Sequence, residues 1–134
     1  MDITPLALTL GSLKGALLMN KKYRLRNNDD FKKVYKKGKN YWNRNLILYI
    51  MENDLNHTRI GFSVTKKIGN SVVRNKTRRR LKEICRQNLN NIREGYDIIF
   101  IPKKNVVDIT YGDLKSAMLH ILRKSNLLKD SGEK

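Results

Sequence analysis

Residues 59–102 read RIGFSVTKKIGNSVVRNKTRRRLKEICRQNLNNIREGYDIIFIP and carry the clearest strand and helix signals of the chain. Arg59 to Thr65 alternates. Ile60, Phe62 and Val64 point one way and Gly61, Ser63 and Thr65 the other, the period-two pattern of a half-buried strand. One face is core; the opposite face is small and polar and leaves room for something flat to lie on it. A basic connection, Lys66-Lys67-Ile68-Gly69, leads to Asn70 or Ser71, either of which can cap a helix. From Val73 onward the apolar positions are Val73, Leu81, Ile84, Cys85, Leu89 and Ile92, with Thr77 filling the stripe. At about 100° per residue they fall within one arc about 120° wide. Tyr96 to Ile101 is then a buried strand with a hard stop at Pro102. Strand, helix and strand in succession predict a βαβ unit with a parallel pair, and so an α/β architecture.

Working outward, Leu46 to Met51 (LILYIM) is too short and too branched for a helix and reads as a strand. Glu52 to Thr58 is a polar turn, which predicts a hairpin between that strand and the one at Arg59. Asn28 can cap a short helix with Asp29 and Asp30 in its first turn, beside the positive helix end. Phe31, Val34 and Tyr35 give that helix an apolar face among Lys32, Lys33, Lys36 and Lys37, and Gly38 supplies its stop. Near the other end, Thr110 and Asp113 form a capping-box-like start. Leu114, Ala117, Met118, Ile121 and Leu122 make the stripe of a last helix.

The 134-residue chain carries 29 Lys+Arg against 12 Asp+Glu, a formal net charge of +17. Such a surplus repels itself in the folded state and calls for a polyanionic partner, with nucleic acid the default and an anionic membrane surface the rival. Residues 19–40 hold nine bases and two acids, and residues 61–94 hold ten bases and two acids. Both blocks carry apolar periodicity, which argues for a folded nucleic-acid-binding surface over a solvated tail. Arg74, Arg78, Lys82 and Arg86 form a row of i, i+4 steps whose mutual repulsion phosphates would relieve.

Residues 1–18, DITPLALTLGSLKGALL after the first Met, are mildly apolar and poor in charge. Asp2 and Lys14 fit neither a secretory signal nor a membrane span. They read as a non-native leader or as translation from an upstream start, with a weak amphipathic anchor as the minority view. Residues 19–128 then read as a single nucleic-acid-binding domain, an RNA-binding one on the resemblance described below, and 129–134 as a polar tail, and the absence of any other targeting stretch favours the cytoplasm.

Little else carries chemistry. The single cysteine, Cys85, excludes a disulfide framework and suits a reducing compartment, and its place in the apolar arc makes it a small core residue. Asp29 and Asp30 are adjacent and splay apart on a helix. His57 sits in the turn and His120 beside the last stripe, so a two-histidine ribonuclease has no local support. Gly61 and Gly69 lack the surroundings of a phosphate-binding loop. No metal site is expected in the chain. The residues by themselves describe a binder.

The segment Ser63-Val64-Thr65-Lys66-Lys67, then Gly69-Asn70, Arg74-Asn75-Lys76 and Arg78-Arg79-Arg80 resembles the signature of the bacterial ribonuclease P protein subunit. The helix Asp30-Phe31-Lys32-Lys33-Val34-Tyr35 with Gly38, and Asn43-Arg44 leading into a strand ending at Tyr49, resemble the same family in the same order. The similarity covers Lys21 to about Leu128. Two departures stand out: Lys76 replaces the usual arginine and loses its bidentate fork, and Thr77 stands where an aliphatic residue is common.

The resemblance implies an α+β sandwich of about four strands and three helices, similar to ribosomal S5 domain 2, with an uncommon left-handed βαβ crossover. It implies a partner, the catalytic RNA of ribonuclease P, which with Mg²⁺ in its own active site cleaves the 5′ leader from precursor tRNA. The enzyme is then the ribonucleoprotein, and the protein supplies no catalytic residue and takes no small-molecule substrate. Lys66, Lys67, Asn70, Arg74, Asn75, Lys76, Arg78, Arg79 and Lys82 would lie against the RNA subunit. Phe31, Tyr35, Lys36, Tyr49 and Ser63 would line a cleft for the single-stranded leader. Tyr41 and Trp42 receive no role. The rival reading is a general RNA or DNA binder such as a ribosome-associated or architectural protein.

Overall fold

The computed structural model describes residues 21–129; the expected leader at 1–18 and all but the first residue of the expected tail at 129–134 lie outside them. Helix α1 (Asn28–Lys37) is capped one residue earlier than the sequence suggests. Asn27, not Asn28, accepts the N–H of Asp29 on its side-chain oxygen at 2.8 Å. Asp29 and Asp30 at the start and Lys36 and Lys37 at the end oppose the helix dipole. Gly38 ends the helix in extended conformation, φ −81°, so left-handed freedom is not its purpose. A Cβ there would lie 2.5 Å from the carbonyl oxygen of Ile50 and 2.6 Å from that of Val34, and only glycine lets the end of α1 lie so close to the strand holding Ile50.

Strands β1 (Lys39–Trp42), β2 (Leu46–Glu52) and β3 (Arg59–Phe62) follow, then α2 (Ser71–Asn88), β4 (Tyr96–Pro102) and α3 (Tyr111–Lys124). Asn70 caps α2 by accepting from Val73 N–H at 3.0 Å, and Thr110 caps α3 by accepting from Asp113 N–H at 3.0 Å. The four-stranded mixed sheet has the order β1-β2-β4-β3, with β3 and β4 parallel and the other pairs antiparallel. The parallel pair expected from residues 59–102 is present.

The hairpin expected between Leu46–Met51 and Arg59 is absent, because β4 lies between those strands. The reason is burial. β2 and β4 are apolar on both faces and take the central places, with one face under α2 and α3 and the other partly under α1. The short β3 takes an edge. The hairpin instead precedes β2. Asn43 makes the turn, its side-chain oxygen accepting from the N–H groups of Asn45 and Leu46, each at 2.9 Å.

Alternation along β2 and β4 divides the core into two layers. Leu46, Leu48, Ile50, Ile98 and Phe100 pack with Leu81, Ile84 and Cys85 of α2 and with Leu114, Met118, Ile121 and Leu122 of α3. On the other face Ile99 meets Leu25 and Val34 of the α1 region, with Phe31, Tyr49, Met51 and Ile101 half-buried around them. Thr77 is buried in the stripe without cost to hydrogen bonding, because its hydroxyl donates to Val73 O at 2.9 Å.

One buried charge ties the layers together. Asp97 at the start of β4 accepts from Arg59 Nε at 2.8 Å and Nη2 at 2.6 Å, and from Asn53 Nδ2 at 2.9 Å. Arg59 also reaches Asp30 of α1 at 3.4 Å, so one guanidinium bridges β3, β4 and the first helix. The Asp97 hydrogen bonds hold the Arg59 pKa above its ordinary value, against the opposing effect of burial.

Candidate nucleic-acid interface

The basic residues expected to face RNA fall into distinct local settings. Lys66 and Lys67 are exposed on the loop after β3, and Lys76 and Arg79 are exposed on α2. Arg74 folds back: its Nη1 donates to Gly69 O at 2.9 Å and its Nη2 to Ser71 Oγ at 3.2 Å, which ties the loop to the helix. Asn75 accepts from Arg78 Nη1 at 3.0 Å and so orients that guanidinium. Asn70 is occupied on its oxygen by the cap. Arg80 points inward and donates to Ile109 O at 2.9 Å, an anchor for the segment before α3.

The expected row of four cations is not uniform. Arg86 makes two bonds to Glu83, at 2.8 and 2.6 Å, which hold the Glu83 carboxyl below its usual range. Arg78 and Lys82 instead face the β3 edge. There they line a hollow of about 160 Å³ together with Arg24 and Arg26. The chain before α1 reaches this edge because Leu25 N–H donates to Ile60 O at 3.0 Å and Arg24 bridges to Ile60 in parallel fashion. The Arg24 Nε is buried there without a hydrogen-bond partner. Arg24 and Arg26 belong to the first basic block of the sequence, but only the tertiary pairing brings them beside α2.

Across the sheet, the cleft residues separate into packing and open groups. Phe31 lies over Gly61, where a Cβ would come within 2.6 Å of its ring. The space expected opposite the β3 core face is therefore filled by the protein's own phenyl ring. Tyr35 is 38% exposed and meets the half-buried Tyr49 edge-to-face, with centroids 4.9 Å apart and an interplanar angle of 89°. Phe31 stands behind Tyr35 at 6.2 Å. Lys36 is exposed on α1, and Ser63 is half-exposed past the end of β3, its N–H donating to Phe100 O at 2.9 Å.

Residues with other chemistry are held in structural roles. Cys85 is fully buried and burial pushes its thiol pKa up, away from thiolate reactivity. His57 bonds Lys22 O at 3.0 Å and His120 bonds Asn43 Nδ2 at 3.1 Å, from separate parts of the fold. Among the described residues no three His, Cys, Asp or Glu side chains come together as metal ligands, and no helix is long and apolar enough to cross a membrane.

Fold and surface define a small α+β domain with a cationic helix and loop along one sheet edge and an aromatic pair on the neighbouring face. The chain matches the Ribonuclease P family over residues 19–126. It is 48% identical over 108 residues to the ribonuclease P protein component of Alkaliphilus oremlandii, and 51% identical over 108 residues to that of Finegoldia magna. Each match covers 81% of this chain and 95% of the relative. The solved RNase P protein of Staphylococcus aureus superposes with a TM-score of 0.75 at 34% identity, covering 80% of this chain and 98% of that one. The protein from Thermotoga maritima superposes with a TM-score of 0.71 at 30% identity, covering 75% and 96%. The chain belongs to the ribonuclease P protein family.

Proposed function

We propose that this chain is the protein subunit of a ribonucleoprotein ribonuclease P, which binds the catalytic RNA and the 5′ leader of precursor tRNA. The observation that carries this reading is the hollow where Arg24, Arg26, Arg78 and Lys82 converge without a carboxylate among its lining residues. Four cations brought together with no carboxylate beside them call for polyanionic neutralisation. Phosphate oxygens supply it with release of counterions. Lys66, Lys67, Lys76 and Arg79 continue the cationic surface along the loop and helix, while Arg74 and Asn75 hold its shape.

The neighbouring face takes the unpaired leader. Tyr35 and Tyr49 offer aromatic surface on which bases stack without a demand for sequence. Phe31 supports them from the core side, with Lys36 and Ser63 at the margins. Bond cleavage, and the Mg²⁺ that assists it, belong to the RNA, so this chain binds, orients and screens charge between two RNAs.

A competition assay separates this reading from a general RNA binder. The chain should prefer its RNA subunit to bulk ribosomal RNA by at least tenfold at matched salt. Equal affinity for both would favour the general binder.

A further inference from the structure

We propose that Trp42, Lys103 and Lys124 form a second stacking site, which receives an unpaired nucleotide of the leader beyond the Tyr35–Tyr49 pair. The inference rests on the leader reading above. Trp42 closes β1 and is 61% exposed, an unusual state for the largest side chain available. Two ammonium groups flank it. Lys103 Nζ and Lys124 Nζ each lie 5.6 Å from the indole centroid, near the outer limit of cation–π attraction, so the ring is polarised but not enclosed.

Both lysines are anchored at this strand end from separate elements. Lys103 Nζ donates to Asn43 O at 2.7 Å and Lys124 Nζ to Trp42 O at 2.8 Å. Each ammonium has three N–H groups and spends one on a carbonyl, so two remain for phosphate oxygens. Neither lysine is engaged by a carboxylate among the described residues. An exposed aromatic ring beside two fixed cations matches a nucleotide, base on the ring and phosphates on the ammonium groups.

Register places Trp42 itself on the leader face; Lys124 reaches it from α3, which packs on the opposite face. Trp42 lies directly opposite Ile47, and residues paired across antiparallel strands share a face. Tyr49 is two residues along β2 from Ile47 and therefore on the same side. The step is about 7 Å along the strand and about 4.8 Å across it, which neighbouring unstacked nucleotides can span. Ile47 and Ile101, mutually paired and half-exposed, continue the apolar surface between the two sites.

Trp42 is the sole tryptophan of the chain, so its emission reports on the site directly. The experiment uses the complex with the RNA subunit and a non-cleavable precursor tRNA, carrying either a long leader or one trimmed to one or two nucleotides. The long leader should quench Trp42 and the trimmed one should not. Trp42→Ala, checked for native circular dichroism, should weaken long-leader binding about five- to tenfold more than short-leader binding. Trp42→Phe should recover most of that difference. Three results would overturn the inference: unchanged emission with the long leader, equal loss for both leaders in Trp42→Ala, or full quenching by the RNA subunit alone. A Tyr49→Ala variant tells the two readings apart. If it abolishes the leader-length effect while Trp42→Ala does not, only the second site fails; if neither variant changes the effect, the leader reading itself fails.

Discussion

Gly61 sits where α1, the preceding chain and β3 converge: an added Cβ would lie 2.6 Å from Phe31 Cζ and 2.9 Å from Leu25 O. The phenyl ring can shift but the backbone oxygen cannot, so Gly61→Ala should destabilise the fold by about 1–3 kcal/mol. Thermal unfolding would show this as a melting point lowered by several degrees. Asp97→Ala removes the partner of a guanidinium that is itself 24% exposed. The loss should be about 2–3 kcal/mol, less than for a fully buried pair because Arg59 keeps some water and Asp30; urea denaturation measures it. At this scale the sequence was only partly legible. Alternation along residues 59–65 exposed the small face of β3, but nothing local said that Phe31 would occupy it. Nor did Asp97 differ in sequence from a surface carboxylate; its role exists only because β3 and β4 pair in parallel.

The helix α2 separates cations that sequence spacing treats alike. Arg78→Ala should reduce the slope of log affinity against log salt for the RNA subunit by about one. Arg80→Ala should instead lower stability by about 1 kcal/mol, the worth of its bond to Ile109 O, with the salt slope intact. Glu83→Gln should release Arg86 and steepen the salt dependence, which titration at several salt concentrations would detect. Acid acts in the same direction. The Glu83–Arg86 contact contributes above the ordinary carboxylate range and is lost as pH falls through the depressed Glu83 value. Helices were the most legible elements, because a 3.6-residue stripe and a cap are local signals. All five apolar positions assigned to the last helix are buried in α3. Strand partners were the least legible. The pairing of β2 with β4 joins residues some fifty positions apart, and the polar segment 52–58 resembles a hairpin turn while joining strands that do not touch. The Asn43 turn before β2 was the better signal, since its side chain closes the loop itself.

For the whole molecule, a net charge of +17 on 134 residues is tolerable only while solvent ions or phosphates neutralise it. The fold gathers much of that charge on the β3 edge, the loop after it and α2, while on α1 four exposed lysines surround the aromatic face. Composition revealed the sign of the partner, and the ordered motifs at 30–86 the family; the meeting of Arg24 and Arg26 with Arg78 and Lys82 required the folded sheet edge. On the function proposed above, this chain assists cleavage without contributing a reacting group. The direct measurement is cleavage of precursor tRNA at low Mg²⁺ by the RNA subunit alone, by nuclease-treated protein alone, and by the two combined. Efficient removal of the leader is expected only in the combined sample. Cleavage by the protein after every trace of RNA has been digested would contradict it.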